Sequence, residues 1–208
     1  MKIGVLDYGA GNLKNVCRAI THLGYQFQLV STPEDVQNVD KLVIPGVGAF
    51  KVAMAQLEAL DLIDPIINLA NKNVPIMGIC LGMQLLFEES SEFGNTKGLG
   101  LLKGSIELIP SVDSKGEVLK VPHIGWNELC LSDTPFALAD GVKNGDAVYF
   151  VHSFRACGYQ ADELLAFSHY GTEVIPAIVG KNNVVGCQFH PEKSGEVGLR
   201  IFENFLTD

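Results

Sequence analysis

The sequence predicts an α/β fold: a mainly parallel central sheet with helices on both faces, and additional strands in the C-terminal half. Three observations carry this. Short apolar runs alternate with helical periodicity through the first ninety residues, runs without intervening helices follow beyond Gly94, and an amphipathic segment closes the chain. With 208 residues, 47% of them hydrophobic and 19% charged, the chain has enough apolar material for one core, and a single domain over 1–208 is expected.

The elements follow in order. Lys2–Asp7 is a short apolar run, read as a strand, ending in the turn Gly9-Ala10-Gly11-Asn12. Leu13, Val16, Cys17, Ile20 and Leu23 then recur at helical spacing until Gly24. Phe27–Val30 is the next strand, Pro33–Val36 a short helix, and Lys41–Ile44 a third strand. Helical patterns cover Val52–Leu60 and Leu62–Ala70, followed by a strand over Val74–Cys80 and a helix over Met83–Glu88. Strands alternating with helices in this way define βαβ units. Beyond Gly94, strands are expected at Ser105–Ile109, Glu117–Val121, Ala147–Phe150, Leu164–Ser168, Ala177–Val179 and Val184–Phe189. Val197, Ile201, Phe202 and Phe205 mark one face of a C-terminal helix.

The charge balance, 15 Lys+Arg against 24 Asp+Glu for a net −9, opposes a grip on nucleic acid or anionic lipid that works by releasing counterions. Five cysteines without a C-x-x-C pair fit neither a disulfide framework nor a zinc ribbon. The absence of a signal-like or membrane-spanning run points to a cytoplasmic protein.

Gly78-Ile79-Cys80-Leu81-Gly82 lies where a strand hands over to a helix and has the form of a nucleophile elbow. The glycines permit a tight turn that lifts the Cys80 side chain clear of the sheet, beside backbone N–H groups. Taken alone, Cys80 is equally well read as a buried space-filling thiol. His190-Pro191-Glu192 follows a predicted strand; residues i and i+2 of an extended segment face the same way, so Glu192 can hold one nitrogen of His190 while the other faces a nucleophile. Both motifs end strands, where open α/β sheets gather their ligands. Pro45-Gly46-Val47-Gly48 also follows a strand, and its glycines let a backbone N–H approach a reacting carbonyl, with Leu81 N–H as a second donor.

Gly78–Gln84 (GICLGMQ) and Gln188–Ser194 (QFHPEKS) resemble the class I, triad-type glutamine amidotransferases. Tyr8–Asn12 (YGAGN), Pro45–Phe50 (PGVGAF), Val121–Asn127 (VPHIGWN) and Tyr149–Phe154 (YFVHSF) are similar to the histidine-pathway branch, the glutaminase subunits of imidazole glycerol phosphate synthase. The likeness runs from residue 3 to about 206. It implies Cys80 as nucleophile, His190 as general base and then acid, and Glu192 as its orienter. Val47, Gly48 and Leu81 would form the oxyanion hole, and Gly46, Gln84, Glu92, Ser153 and Phe154 would hold glutamine. Asn12, Trp126, Tyr149 and Lys193 would lie toward a partner. That partner would be the cyclase subunit of imidazole glycerol phosphate synthase, a (β/α)₈ barrel in a heterodimer with this chain. The glutaminase motifs span residues 46 to 192 and leave no room in 208 residues for an ammonia-consuming domain, which is a separate reason to expect a companion chain. No cofactor and no metal are expected. Arg155 and Cys187 are less usual neighbours of these motifs. His123 and His152 fall in matched segments but receive no catalytic role.

Three other readings stand beside this one. Gly9-Ala10-Gly11 hints at dinucleotide binding, yet the fingerprint needs Gly or Ala where Lys14 stands. A glutaminase feeding pyridoxal phosphate, anthranilate or carbamoyl phosphate synthesis would share the Cys and His-x-Glu motifs but not combine YGAGN with PHIGWN, and a catalytically dead regulatory module would not need Cys80, His190 and Glu192 together.

Overall fold

The structure, a computed structural model, describes residues 1–9 and 11–207; Ala10, within the Tyr8–Asn12 segment, and Asp208 lie outside the described residues. Its first half alternates as the apolar runs dictate: β1 (Ile3–Leu6), α1 (Leu13–His22), β2 (Phe27–Val30), α2 (Pro33–Gln37), β3 (Lys41–Ile44), α3 (Phe50–Ala59), α4 (Ile63–Asn71), β4 (Ile76–Ile79) and α5 (Leu81–Leu85). Then come β5 (Glu89–Ser90), β6 (Thr96–Lys97), β7 (Ser105–Leu108), β8 (His123–Glu128), β9 (Cys130–Leu131), β10 (Ala147–His152), β11 (Phe154–Cys157), β12 (Leu164–Tyr170), β13 (Glu173–Lys181), β14 (Val184–Cys187) and α6 (Gly195–Thr207).

The central sheet has eight strands in the order β2-β1-β3-β4-β14-β13-β12-β9. From β2 through β14 every pairing is parallel, and from β14 outward every pairing is antiparallel. Smaller sheets, β11-β7-β5-β6 and β10-β8, complete the C-terminal half.

The period-2 alternation of the buried strands divides the core in two. Ile3, Val5, Val43, Met77 and Ile79 meet Val16 and Ile20 of α1 and Ile201, Phe202 and Phe205 of α6. Leu6, Leu42, Ile44 and Ile76 face the other way, onto Phe50 and Leu57 of α3, Ile66 and Leu69 of α4, and Leu81 and Leu85 of α5. Each central strand is thus covered on both faces, which is why these runs are continuously apolar.

Three expectations are revised. Glu117–Val121 is not a strand: the segment makes one isolated bridge, Val112 to Val118, because its N–H groups are spent locally. Asp113 Oδ1 accepts from the N–H of Lys115 and of Glu117, and Leu119 N–H goes to Ser111 O. The helix expected over Met83–Glu88 begins earlier, directly after Cys80. The strand expected over Ala177–Val179 runs on to nine residues, Glu173–Lys181. No helix among the described residues is long and apolar enough to cross a membrane.

Candidate active site

The sheet order seats β3, β4 and β14 side by side, so the three segments that leave their carboxyl ends meet. Cys80 N–H donates to Cys187 O across the β4/β14 gap at 2.7 Å, and Leu81 N–H donates to Gly46 O at 3.3 Å.

Cys80 has φ 54° and ψ −107°, a conformation that non-glycine residues rarely hold and that carries backbone strain. The glycines around it are needed for space. A Cβ on Gly82 would run into the carbonyl oxygen of Ile44, and one on Gly78 would sit 2.6 Å from Met83 N. This close approach turns strand β4 directly into α5 and leaves the Cys80 side chain above the sheet edge. Its sulfur lies 3.9 Å from Val151 O and 3.8 Å from Gln188 Nε2.

His190 and Glu192 share a face, as the i, i+2 rule requires. Nδ1 lies 2.8 Å from Glu192 Oε1, and both side chains are fully shielded from solvent. His190 Nε2 has no hydrogen-bond partner among the described residues and is buried. Burial pulls the His190 pKa down from 6.5, but its interaction with the Cys80 sulfur and then with Glu192 outweighs this and raises it to about 9. Asn12 joins the group from the β1–α1 turn: its Nδ2 donates to Glu192 Oε1 at 2.6 Å and lies 3.3 Å from His190 Nδ1, while its Oδ1 accepts from Asn15 Nδ2. The residue expected toward a partner therefore directs its amide at the His–Glu pair.

The Gly-rich turn after β3 is anchored from below. Tyr8 Oη donates to Pro45 O at 2.9 Å, and burial, followed by the nearby Cys80 sulfur, raises the phenol pKa. Gly48 has φ +113°, which favours glycine there, and Val47 is 39% exposed. Leu81 N–H, expected as an oxyanion donor, is occupied by Gly46 O.

Of the residues expected at glutamine, Gln84 is buried, and its Nε2 donates to Phe154 O and to Gln188 Oε1, each at 3.1 Å. Glu92 Oε2 accepts the N–H of Phe50 at 2.6 Å and so caps α3 at the end of the Gly46–Gly48 turn. Ser153 O accepts from Ile109 N–H. Trp126 and Tyr149 meet edge to face across β8 and β10, with ring centroids 6.0 Å apart. Trp126 is exposed, as is Lys193, and Tyr149 binds the His190 loop through its backbone: its N–H donates to Ser194 Oγ and its O accepts His190 N–H. Gln188 and Tyr8 were not singled out from the sequence. Gln188 was within reach, since it stands two residues before His190 in the same extended run. Among the described residues, no group of three His, Cys, Asp or Glu is arranged to hold a metal.

A strained cysteine at a strand–helix turn and a buried histidine held by a carboxylate are the groups that a cysteine-nucleophile hydrolase on an α/β sheet requires. The family model "Glutamine amidotransferase class-I" matches residues 4–208, and the chain belongs to that family. Within it, the chain is 48% identical over 205 residues to the imidazole glycerol phosphate synthase subunit HisH of Geobacillus sp. (strain WCH70), covering 99% of this chain and 96% of that one. Subunit HisH of Lactococcus lactis subsp. lactis (strain IL1403) is 48% identical over 210 residues, covering 100% and 98%. A crystal structure of a glutamine amidotransferase (TM-score 0.75, 19% identity, 99% and 97% covered) and PurLQS from Thermotoga maritima (TM-score 0.74, 20% identity, 99% and 97% covered) share the fold.

Proposed function

We propose that this chain is the glutaminase subunit of imidazole glycerol phosphate synthase, a single cytoplasmic catalytic domain over residues 1–208. It hydrolyses glutamine and passes ammonia to the cyclase subunit, which forms imidazole glycerol phosphate and an aminoimidazole carboxamide ribotide in histidine biosynthesis. The observation that carries the catalytic part is the orphaned, buried His190 Nε2, whose ring is held on its other side by Glu192 and whose pKa reflects Cys80. The histidine-pathway part rests on the 48% identity over almost the whole chain to subunits of that name.

In this reading, Cys80 Sγ attacks the side-chain amide carbon of glutamine, having given its proton to His190. The S–C bond forms and the carbonyl electrons move onto oxygen. On collapse the C–N bond breaks, and His190 protonates the departing nitrogen, giving ammonia and a glutamyl thioester. Water, activated by His190, then attacks the thioester to release glutamate and return the thiol. Glu192 keeps the imidazole oriented and stabilises its charged form, as the acid of a triad does. Gln84 and Glu92, with Ser153 and Phe154 mainly through their backbone, hold the head group of glutamine, and Gly46 lines the same site.

The oxyanion forms between Leu81 and the Val47–Gly48 turn. Since Leu81 N–H donates to Gly46 O, the turn must move before both donors are available. Loss of one such donor costs about 10²–10³ in rate, so the isolated chain is a slow enzyme. Docking of the cyclase, through a surface that includes Trp126, Tyr149 and Lys193, moves the turn.

The test is glutamate release from glutamine by the chain alone, with the cyclase subunit and its nucleotide ligand, and with Cys80→Ala. Low activity alone, a rise of a hundredfold or more with the liganded partner, and none in the variant are expected. Equal rates with and without the cyclase would remove the gating and the partner. Hydrolysis surviving Cys80→Ala would remove the nucleophile.

A further inference from the structure

A pair of histidines lies behind the site. His123 and His152 stand opposite each other in the β8/β10 ladder, both buried, with His123 Nδ1 3.0 Å from His152 Nε2. The His123 ring is stacked between Phe150 and Tyr170, at 4.9 and 4.2 Å between centroids, which fixes its plane. Each ring also has an outer partner: His152 Nδ1 lies 2.8 Å from Phe154 O, and His123 Nε2 lies 2.8 Å from Asn127 Oδ1. The Phe154 carbonyl accepts in turn from Gln84 Nε2, Gln84 reaches Gln188 Oε1, and Gln188 Nε2 points at the Cys80 sulfur. A continuous polar chain thus runs from Asn127 on β8 to Cys80.

We propose that His123 and His152 are positioning residues of this site: the imidazole pair sets the Phe154 carbonyl, and through it Gln84, Gln188 and the Cys80 sulfur. The proposal deepens the glutaminase reading and rests on it.

Proton counting makes the assignment specific. Phe154 O and Asn127 Oδ1, at the two ends of the pair, are both acceptors; the Asn127 amide is oriented by its Nδ2 donating to His169 O at 3.2 Å. One proton is needed at each end and one between the rings, three in all, whereas two neutral imidazoles carry two. Burial resists the third. The pKa of His152 is pushed down to about 3, first by burial, against the bond to Phe154 O and with help from His123 and His190; burial also lowers that of His123, against Asn127. Near neutral pH both rings are therefore neutral and carry two protons for three contacts. In the proposed arrangement these lie on His152 Nδ1, toward Phe154 O, and on His123 Nδ1, toward His152, which leaves the outer contact at Asn127 without one. Other groups facing the pair are already engaged: the Tyr170 phenol donates to Lys120 O, and His169 supplies its carbonyl. The pair thus keeps its stronger end toward the cysteine.

The full-length chain labelled with ¹⁵N-histidine, read by long-range ¹H–¹⁵N correlation at pH 7, is expected to show both rings neutral with the proton on Nδ1. His152 found as the Nε2–H tautomer would overturn the proposal, and this holds even if every variant failed to fold. In glutaminase assays with the cyclase present, His152→Ala is expected to raise the KM for glutamine about tenfold, the loss of one buried hydrogen bond and the slackening of its neighbours. His152→Asn, whose Nδ2 stands where Nδ1 stood, should bring KM back to within about threefold, and His152→Gln, whose amide falls near the Nε2 position, should not. Unchanged KM in all three variants, or equal recovery by Asn and Gln, would overturn the positioning role while Cys80-dependent hydrolysis persists. Hydrolysis persisting in Cys80→Ala would instead remove the glutaminase reading beneath it.

Discussion

Replacing Glu192 by Gln removes one negative charge with little change of shape, and the consequences can be worked through pH. His190 is held near a pKa of about 9 against 6.5 when unfolded: burial lowers it, and the contacts with Cys80 and, at 2.8 Å, with Glu192 more than offset that. A group whose folded pKa is raised adds stability that is fully present below the unfolded value and is lost as pH rises through the folded one. At about 1.36 kcal/mol per pH unit, the span from 6.5 to 9 gives roughly 3 kcal/mol. Both side chains are 0% exposed, so solvent screens little of it. In the variant the share due to the carboxylate disappears and the His190 pKa moves back toward 6.5. The wild type should then exceed Glu192→Gln in unfolding free energy by about 1–3 kcal/mol below pH 6.5, and the gap should narrow between pH 6.5 and 9. Above pH 9 the wild-type carboxylate still accepts from the neutral imidazole's Nδ1–H and from Asn12, but no cation offsets its buried charge, and the gap should close or change sign. Urea unfolding at pH 6, 7.5, 9 and 10, with an NMR titration of His190 in both proteins, measures this. A difference that stays constant from pH 6 to 10 would refute the reasoning.

Asn12→Ala removes the 2.6 Å donor to Glu192, and kcat for glutamine hydrolysis should fall about tenfold with KM within twofold; an effect confined to KM would mean that Asn12 acts elsewhere. Gly82→Ala places a methyl group against the Ile44 carbonyl, where backbone must yield, so about 3 kcal/mol of stability should be lost; a thermal midpoint within a degree of wild type by circular dichroism would contradict the close approach.

The parallel half of the fold was legible because its strands are covered on both faces and read as unbroken apolar runs between helical periods. Strand β8 was not: His123-Ile124-Gly125-Trp126-Asn127-Glu128 has polar residues and a glycine where a strand pattern wants alternation, and its outward Ile124 and Trp126 are exposed. The strand is held by its pairing with β10, which is a tertiary fact. The same limit applies to the site. Cys80 and His190-Pro191-Glu192 announced themselves through local spacing, and so in principle did Gln188. The approach of Asn12 to Glu192 closes a gap of 180 residues, and the meeting of His123 with His152 depends on strand register; neither leaves a local trace.

The register of β4 sets where the chain tolerates change in length. Gly78 is paired with Gly186 of β14 and packed under Met83, while Ile44 of β3 pairs with Gly78 on the other side. One residue gained or lost within β4 would rotate every following side chain to the opposite face, sending Ile79 and Met77 toward the helices that now cover Ile76. The strained turn at Cys80 would be re-aimed with them. Drift in chain length can be absorbed in surface segments such as the one around Val112 to Val118, while the cysteine stays fixed in register with the sheet beneath it.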